Sequence, residues 1–517
     1  MAAPEKTVDL AAAYGMAPVP AGHWLVILPV ALCLGLGAVL LMLRERTALQ
    51  ARLALAGLAL LVALDALLLW QVAREGPLTM AMGRWLPPFG IAFTVDLLGA
   101  AMALASAVAA FAAALYALAD ISESERRYGF FPFLLMMMAG VSGAFLTGDL
   151  FNLYVWFEVL LISSFGLLIL GSRREQIDGG MKYAVLNLIG TTLFLIAIGC
   201  LYGVFGTLNM ADIAARARLG ERPPMALAAL FLFAFAMKAA AFPVNFWLPA
   251  SYHTPKIVIS ALFAGLLTKV GVYALMRVLV MLLPAGHAAF GGLIALAAVA
   301  TMIAGALGAL AETDIRRLLG YVVISGIGNM LAGVALGGVA GLSGAIFYAL
   351  HSVVLMTALY LAAGEAGRIG AGHSLAGLSG LWQANGVFAG LSLALFLAAS
   401  GLPPFSGFWP KAMLVRAALA AGAWWIAAAI LLSGFLTTIV FGRLFLLAYW
   451  RPAATPLPAQ RVGWRAGVPL TLLTALVTGF GLFPEPLAAL SQRAAAGLSD
   501  PSSYMQSVFP QGEGHQP

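Results

Sequence analysis

The chain has 517 residues, of which 62% are hydrophobic and only 9% are charged. Soluble domains carry about 25% charged residues, so this composition excludes a soluble fold. We expect a polytopic membrane protein whose net charge of +7 reflects arginines in cytoplasmic loops, since the sequence has no recognisable nucleic-acid module.

Apolar runs of about 20 residues, the length that crosses the hydrocarbon core of a bilayer, predict an all-α protein with about fourteen transmembrane helices. In chain order, the predicted spans start near Trp24, Leu53, Phe93, Phe130, Leu150, Tyr183, Met225, Ile257, Ala289, Leu318, Leu342, Gly386, Trp424 and Val468. The fourth and fifth spans are separated only by the short T-G-D sequence at 147–149. No cleaved signal peptide is expected, because residues 1–22 contain no long apolar run behind a basic start.

The distribution of the 28 Lys and Arg residues predicts the orientation. If both termini are outside, most of these residues fall in cytoplasmic loops, as the positive-inside rule requires. Three arginines, Arg216, Arg218 and Arg222, are exceptions to this rule because they fall in a predicted outer segment. They follow N-M-A-D-I-A-A-R, which predicts a short amphipathic helix on the outer surface. We therefore expect a multi-pass membrane protein with both termini outside.

Three ionisable residues, Glu158, Lys238 and Lys269, interrupt apolar runs. A charge at the bilayer centre costs at least about 2.5–3.5 kcal/mol on insertion scales, so such groups face the protein interior or water and commonly mark a proton or ion path. Glu158 could instead be a neutral carboxyl that is hydrogen-bonded to a neighbouring helix. The lysines could extend to the membrane interface, although apolar residues continue on both sides of each.

Two apolar segments are interrupted by helix-breaking residues next to a lysine. Pro243 follows Lys238, and a second break precedes Lys411. That second break contains Pro403, Pro404, Gly407 and Pro410. Irregular backbone at membrane depth is tolerated only where it lines a cavity or is buried in protein. One such break in each half of the chain is typical of transporters built from inverted repeats.

Two histidines are possible proton relays. His351 lies in the middle of a predicted span, and His253 lies in P-A-S-Y-H-T-P-K at a predicted cytoplasmic loop. Either could simply bond a backbone carbonyl. No cluster has the spacing of a zinc, haem or iron–sulfur site, and there is no phosphate-binding loop, so we expect no cofactor and no direct use of ATP.

These residues together predict a row of exchangeable charges: Glu158, Lys238, Lys269 and Lys411. In a poor dielectric, protonation of one group alters the charge state of the next through Coulomb coupling. The expected chemistry is proton transfer along the row.

At these residues the chain resembles the antiporter-like subunits shared by respiratory complex I, membrane hydrogenases and Mrp-type sodium/proton antiporters. The resemblance runs in order from Phe130 to Tyr449. Its motifs are W-F-E-V-L-L, F-A-M-K-A-A-A-F-P, L-L-T-K-V-G-V-Y-A-L-M-R, D-I-R-R-L-L-G-Y-V-V-I-S-G-I-G-N-M and G-L-P-P-F-S-G-F-W-P-K. Within this superfamily the chain is most similar to the D-type subunit of the Mrp antiporter, on F-L-T-G-D-L-F-N-L-Y-V-W-F-E-V and P-A-S-Y-H-T-P-K-I-V-I-S-A-L.

The resemblance implies fourteen helices with two inverted five-helix repeats. It implies that Glu158 and Lys238 form a pair, that Lys269 is a connecting lysine and Lys411 a terminal one, and that His351 lies on a central axis. The complex I subunits usually carry D-A-H-x-x-A-P where this chain has A-S-Y-H-T-P, which favours the Mrp type and leaves the role of His253 open.

The expected organisation of the chain follows from the spans and the resemblance. It comprises an N-terminal outer segment (1–22), three transmembrane helices (23–128), a first antiporter repeat (129–283), a second antiporter repeat (284–450), a cytoplasmic loop with the last helix (451–498) and a disordered tail (499–517).

The expected function is that of a proton-translocating subunit of a multisubunit sodium or potassium/proton antiporter. Such a subunit is a secondary transporter component and not an enzyme, and its transport is driven by the proton gradient. It acts with other subunits of a hetero-oligomer in the bacterial plasma (inner) membrane. One alternative is a proton-pumping subunit of a complex I (NADH:quinone oxidoreductase) or a membrane hydrogenase. Another is a non-conducting scaffold subunit whose charges only position helices.

Overall fold

The computed structural model describes residues 14–15, 19–220, 224–453 and 460–510. Most of the predicted N-terminal segment at 1–22 lies outside the described residues, as do Arg222 and the end of the predicted tail at 511–517. The described chain is almost entirely helical, as the apolar composition predicts.

The first half of the chain contains twelve α-helices. They are α1 (Leu28–Met42), α2 (Thr47–Glu75), α3 (Leu97–Asp120), α4 (Glu123–Arg127), α5 (Phe130–Leu146), α6 (Leu150–Leu168), α7 (Arg174–Phe205), α8 (Met210–Arg218), α9 (Met225–Ala239), α10 (Trp247–Ser251), α11 (Ile257–Leu262) and α12 (Thr268–Leu275). A 3₁₀ turn at Ala21–Val26 precedes α1. π-Helical turns at Phe263–Leu267 and Met276–Leu282 make residues 257–282 one continuous helix, called here the 257–282 helix.

The second half contains ten more α-helices. They are α13 (Pro284–Ala311), α14 (Ile315–Leu336), α15 (Gly338–Ile369), α16 (Leu381–Ala384), α17 (Gly386–Ser400), α18 (Phe408–Ala420), α19 (Trp424–Leu444), α20 (Trp464–Leu482), α21 (Glu485–Ser499) and α22 (Ser502–Val508). A π-helical turn at Phe445–Trp450 extends α19. The long α15 is almost wholly buried and lies in the middle of the molecule.

Among the described residues, ten helices are long and apolar enough to cross a membrane, and four shorter apolar helices (α1, α5, α9 and α17) accompany them. This agrees with the prediction of about fourteen spans. The predicted start near Tyr183 is nine residues late, because α7 begins at Arg174. Polar residues such as Asp178 and Lys182 occupy its first turns, and hydropathy detects only the apolar part of a helix.

A small antiparallel hairpin is an element that the all-α prediction did not contain. Strand β1 (Leu78–Ala81) pairs with strand β2 (Ala92–Val95), between α2 and α3. The third span therefore starts at Leu97 and not near Phe93, whose backbone belongs to the sheet. Asp96 follows β2 and caps α3 by accepting a hydrogen bond from Gly99 N at 2.9 Å. We call this side of the molecule the hairpin end.

The α5–α6 pair of the first half and the α13–α14 pair of the second half pack in the same way, as expected for a repeat. In α5, a Cβ on Gly140 would lie 2.8 Å from the backbone N of Leu160 in α6. In α13, a Cβ on Gly305 would lie 2.4 Å from the backbone N of Ser325 in α14. Successive spans cross the bilayer in alternate directions. A second repeat that starts after an odd number of spans, such as five, therefore has the opposite orientation to the first.

Because these helices touch through glycine, we expect Gly140→Ala to destabilise the fold by about 1–3 kcal/mol through overpacking. The measurement is the melting temperature of the solubilised protein. Gly199→Ala on α7 is the matched control, because a Cβ there meets nothing within 4 Å. Equal melting temperatures for the two variants would contradict the close α5–α6 contact.

Both interrupted spans break in the same manner. Helix α9 ends at a left-handed Ala240 with φ 58° and ψ 47°, and α17 ends at a left-handed Gly401 with φ 83° and ψ 35°. A left-handed residue after the last helical turn ends many helices. Pro243 and Pro404 follow within a few residues. Each break leaves the carbonyl groups of a half-helix inside the protein.

The prediction of a disordered tail at 499–517 is wrong over its described part. Residues Ser502–Val508 form α22, and the side chain of Tyr504 is buried. Arg218 of α8 donates hydrogen bonds to Asp500 and to Ser502 Oγ, the latter at 2.7 Å. The polar composition of this segment suggested disorder, but the side chains of Asp500, Ser502 and Ser507 have hydrogen-bond partners on the rest of the protein.

Candidate functional site

Lys238 lies in the last turn of α9, at the first break. Its side chain is 7% exposed, and its ammonium group is 5.7 Å from the centroid of the Phe157 ring. A Cβ on Gly271 would lie 2.7 Å from Ala239 N, so α12 touches α9 next to this lysine. The C-terminal end of a helix carries partial negative charge from its free carbonyl groups, which favours an ammonium ion there.

Glu158 lies on α6 and is half-buried in the isolated chain. In the part of the chain that the structure describes, no ion pair within 4.0 Å joins Glu158 to Lys238, although the Lys238 ammonium group lies over the ring of Phe157, the residue next to Glu158. The neighbouring residue, Phe157, stacks on Phe235 of α9 with ring centroids 6.1 Å apart. Aromatic side chains thus pack between α6 and α9 next to Glu158 and Lys238, which make no direct contact with each other.

Lys269 lies directly after the π-helical turn Phe263–Leu267. Its side chain is 1% exposed and donates a hydrogen bond to the carbonyl oxygen of Ala264 at 2.5 Å. Single π-turns inside α-helices are frequent at functional sites. At the same turn, a Cβ on Gly265 would lie 2.3 Å from Thr357 Oγ1 of α15, so the two helices are in close contact.

His351 lies on α15. It is 2% exposed, and its Nδ1 shares a hydrogen bond of 2.8 Å with Ser406 Oγ in the second break. His351 and Lys411 line the same small cavity. The structure therefore places His351 close to the predicted terminal lysine.

Lys411 lies in the first turn of α18, on the far side of the second break. Its ammonium group donates to the carbonyl oxygens of Ser400 at 2.8 Å and Ala399 at 3.4 Å, which are the last residues of α17. Lys411 therefore binds the negative end of one half-helix, as Lys238 occupies the negative end of another.

A buried polar cavity of about 10 Å³ separates His351 from Lys411. This volume is close to that of a single water molecule. Polar residues of its lining are Ser325, Asn329, Tyr348, Ser352, Ser433 and Thr437. The Oδ1 atom of Asn329 has no hydrogen-bond partner, so it can accept a bond from a molecule in the cavity. On its other side, Lys411 lines a wider, open groove of about 650 Å³ between α17, α18 and α19.

Ser406 and Asn329 are site residues that the sequence did not single out. Both lie inside motifs that the resemblance uses, G-L-P-P-F-S-G and S-G-I-G-N-M. Their polarity within apolar surroundings was a detectable signal. Serine and asparagine are nevertheless common in membrane helices, where they often bond their own backbone.

The structure does not bring His253 into the row. It lies in the turn between α10 and α11, and its Nδ1–H donates a hydrogen bond of 2.8 Å to the carbonyl oxygen of Pro249. Burial, helped by the charges of Arg317 and Arg316, lowers the pKa of this histidine. The hydrogen bond of its ring is thus made within its own turn and not to any residue of the predicted row.

Known proteins from several organisms are similar to this chain in sequence and in fold. The family model described as "NADH:quinone oxidoreductase/Mrp antiporter, TM" matches residues 147–437. The chain is 34% identical over 490 residues to a protein of Alkalihalophilus pseudofirmus that is named as the D subunit of a Na(+)/H(+) antiporter, covering 94% of this chain and 99% of that protein. A protein of the same name from Bacillus subtilis is 34% identical over 488 residues, covering 94% and 99% of the two chains.

Solved structures of similar fold come from several membrane complexes. One chain of the Mrp complex from Dietzia sp. superposes with a TM-score of 0.88 at 30% identity, covering 95% of this chain and 100% of that one. A chain of respiratory complex I from Thermus thermophilus superposes with a TM-score of 0.80 at 28% identity, covering 92% and 99%. The chain belongs to the transmembrane family shared by NADH:quinone oxidoreductases and Mrp antiporters.

Proposed function

We propose that this chain is the proton-translocating subunit of a multisubunit sodium or potassium/proton antiporter that is driven by the proton gradient. The observation that carries the proposal is that Lys238, Lys269 and His351 are buried, while the half-buried Lys411 shares a small polar cavity with His351. Lys238 and Lys411 lie at the two helix breaks. The relatives named as the D subunit of Na(+)/H(+) antiporters, which match over nearly their whole length, support the same function.

In the proposed mechanism, Glu158 controls the charge of the first lysine. When Glu158 is ionised, its negative charge stabilises the ammonium form of Lys238. When a proton neutralises Glu158, that stabilisation is lost and Lys238 passes its proton towards Lys269. His351 and a molecule in the neighbouring cavity then link Lys269 to Lys411.

The chain works within a hetero-oligomer in the bacterial inner membrane, with both termini outside and the hairpin end therefore on the outer side. Other subunits and the lipid bilayer cover its lateral faces. The Mrp complex that contains a chain of the same fold supports this arrangement. The cation path lies elsewhere than the lysine row, because lysine ammonium groups repel sodium and potassium ions.

A proton-pumping subunit of a redox complex is the second candidate. It is supported by the fold similarity to a chain of the archaeal membrane-bound sulfane sulfur reductase, with a TM-score of 0.88 at 26% identity, and to a chain of complex I. The two candidates differ in what drives proton movement. Only the antiporter responds to added sodium or potassium without an electron donor.

The test uses inside-out vesicles that contain the complete complex and an imposed proton gradient. For the wild type, we expect added sodium or potassium to dissipate the gradient, as reported by a pH-sensitive dye. Glu158→Gln should slow this response by about 100-fold, the size of a typical proton-transfer contribution. Glu175→Gln, at an exposed position in the first turn of α7, is the control. No response to either cation in the wild type would refute the proposed function.

A further inference from the structure

A buried ion pair lies at the hairpin end, outside the lysine row. Arg277 is 1% exposed and donates two hydrogen bonds to Asp96, at 2.7 and 2.8 Å. Replacing a buried ion pair by well-packed apolar side chains often leaves stability unchanged or raises it. Stability alone therefore does not account for a charged pair at this position.

The pair is connected to Lys269 along one helix. Lys269, Tyr273 and Arg277 are spaced four residues apart in the 257–282 helix, so their side chains share one face. Arg277 donates to Tyr273 Oη at 3.1 Å, and Tyr273 Oη donates to the carbonyl oxygen of Phe145 at 3.0 Å. One turn earlier in α5, the fully buried Ser142 Oγ has no partner. Polar groups thus continue from Lys269 towards the hairpin end.

The C-terminal helix α22 covers the ion pair. The guanidinium carbon of Arg277 is 5.3 Å from the centroid of the Tyr504 ring, and Tyr504 is 2% exposed. Beyond this ring, Ser507 Oγ lies 3.0 Å from Thr79 Oγ1 of strand β1. Tyr504 therefore separates the Asp96–Arg277 pair from the surface of the molecule.

A surface contact holds α22 in place. Arg218 at the end of α8 binds both Asp500 and Ser502, just before and at the start of α22. Hydrogen bonds from Ser502 and Arg218 lower the pKa of Asp500 to about 2. The contact therefore stays charged over the whole physiological pH range.

We propose that the path of protons between Lys269 and the outer side runs past Tyr273 to the Asp96–Arg277 pair, and that α22 is the lid that closes it. This assignment rests on the proposed function, because it needs a proton at Lys269. With the lid in place, Tyr504 keeps water from the pair. Displacement of α22 opens the outer side to the row.

The experiment measures passive proton leak into vesicles that contain the complete complex, without added sodium or potassium. Tyr504→Ala removes the ring and should raise the leak about fivefold, since a buried cation–π contact contributes about 1 kcal/mol or more. Arg218→Ala removes an exposed contact of α22 and should raise the leak by up to about fivefold, the range that an exposed ion pair of about 0–1 kcal/mol allows. Arg216→Ala is the control for Arg218→Ala, because Arg216 pairs with Asp212 inside α8 at 3.2 Å. Tyr504→Phe keeps the ring, so its leak should equal that of the wild type.

Native gels of each variant report the amount of assembled complex, to which the leak is normalised. If Tyr504→Ala does not assemble, the exposed Arg218→Ala decides the result. A wild-type leak in assembled Arg218→Ala would overturn the lid.

The path is tested separately in the double variant Arg218→Ala/Lys269→Ala, in which the leak should return to the wild-type level. A leak that persists there overturns the path through Lys269. The proposed function fails by a different result, which is the absence of any sodium or potassium response in vesicles that contain the wild-type complex.

Discussion

Lys238→Ala is expected to abolish cation/proton exchange while the complex still assembles. The side chain lies at the end of a half-helix, buried against Phe157 and α12, and alanine cannot hold a proton there. A break in the row stops transfer beyond it, so exchange per assembled complex should fall by about 100-fold or more, the size of a lost acid–base group. The measurement is sodium- or potassium-driven pH change in inside-out vesicles, normalised to the complex seen on native gels.

Lys182→Ala provides the matched control. Lys182 is an exposed lysine of α7 that pairs with Asp178 within the same helix at 2.6 Å. Its removal should change exchange little, because exposed ion pairs contribute about 0–1 kcal/mol. The scaffold alternative predicts the opposite behaviour for Lys238→Ala, namely poor assembly with normal exchange in the complex that remains. That outcome would remove Lys238 from the proton path.

The largest effect on stability is expected for Arg277→Met. It leaves the Asp96 carboxylate buried without its partner, which costs about 3–5 kcal/mol. The double variant Arg277→Met/Asp96→Asn should recover most of this loss, because asparagine removes the charge and keeps the oxygen that caps α3. The measurement is the melting temperature of the solubilised protein, together with its abundance in membranes.

The order of stability is what tests the ion pair. Wild type and double variant should be similar, with the single Arg277→Met variant well below both. If the single and double variants melt at the same temperature, Asp96 is not stranded as a buried charge, and the two residues are not coupled as their 2.7 and 2.8 Å hydrogen bonds require.

Hydropathy was sufficient to find the spans, because the bilayer demands long apolar runs whatever their neighbours. It was less reliable at their ends. The hairpin formed by β1 and β2 was missed because a strand in such a short connection depends on a partner strand. The order of residues 502–508 was missed for a related reason, since it depends on Arg218, which is distant in sequence.

For the candidate site, the charged residues themselves were visible because lysine is costly inside an apolar run. Their relationships were not. Sequence alone did not reveal that Glu158 and Lys238 lack direct contact, that Lys411 binds the carbonyl groups of α17, or that His253 lies apart from His351. Each of these depends on how separate helices pack.

By itself, the sequence determined that this is a membrane protein of about fourteen spans, with broken helices and with charged residues inside apolar runs. Its motifs also identified the antiporter-like family. Those properties depend on local composition, which the low polarity of lipid penalises or favours residue by residue. Only the tertiary structure decided which charges are neighbours, where a water-sized cavity lies, and what covers Arg277. Coulomb interactions and hydrogen bonds depend on distances between helices, and hydropathy carries no such information.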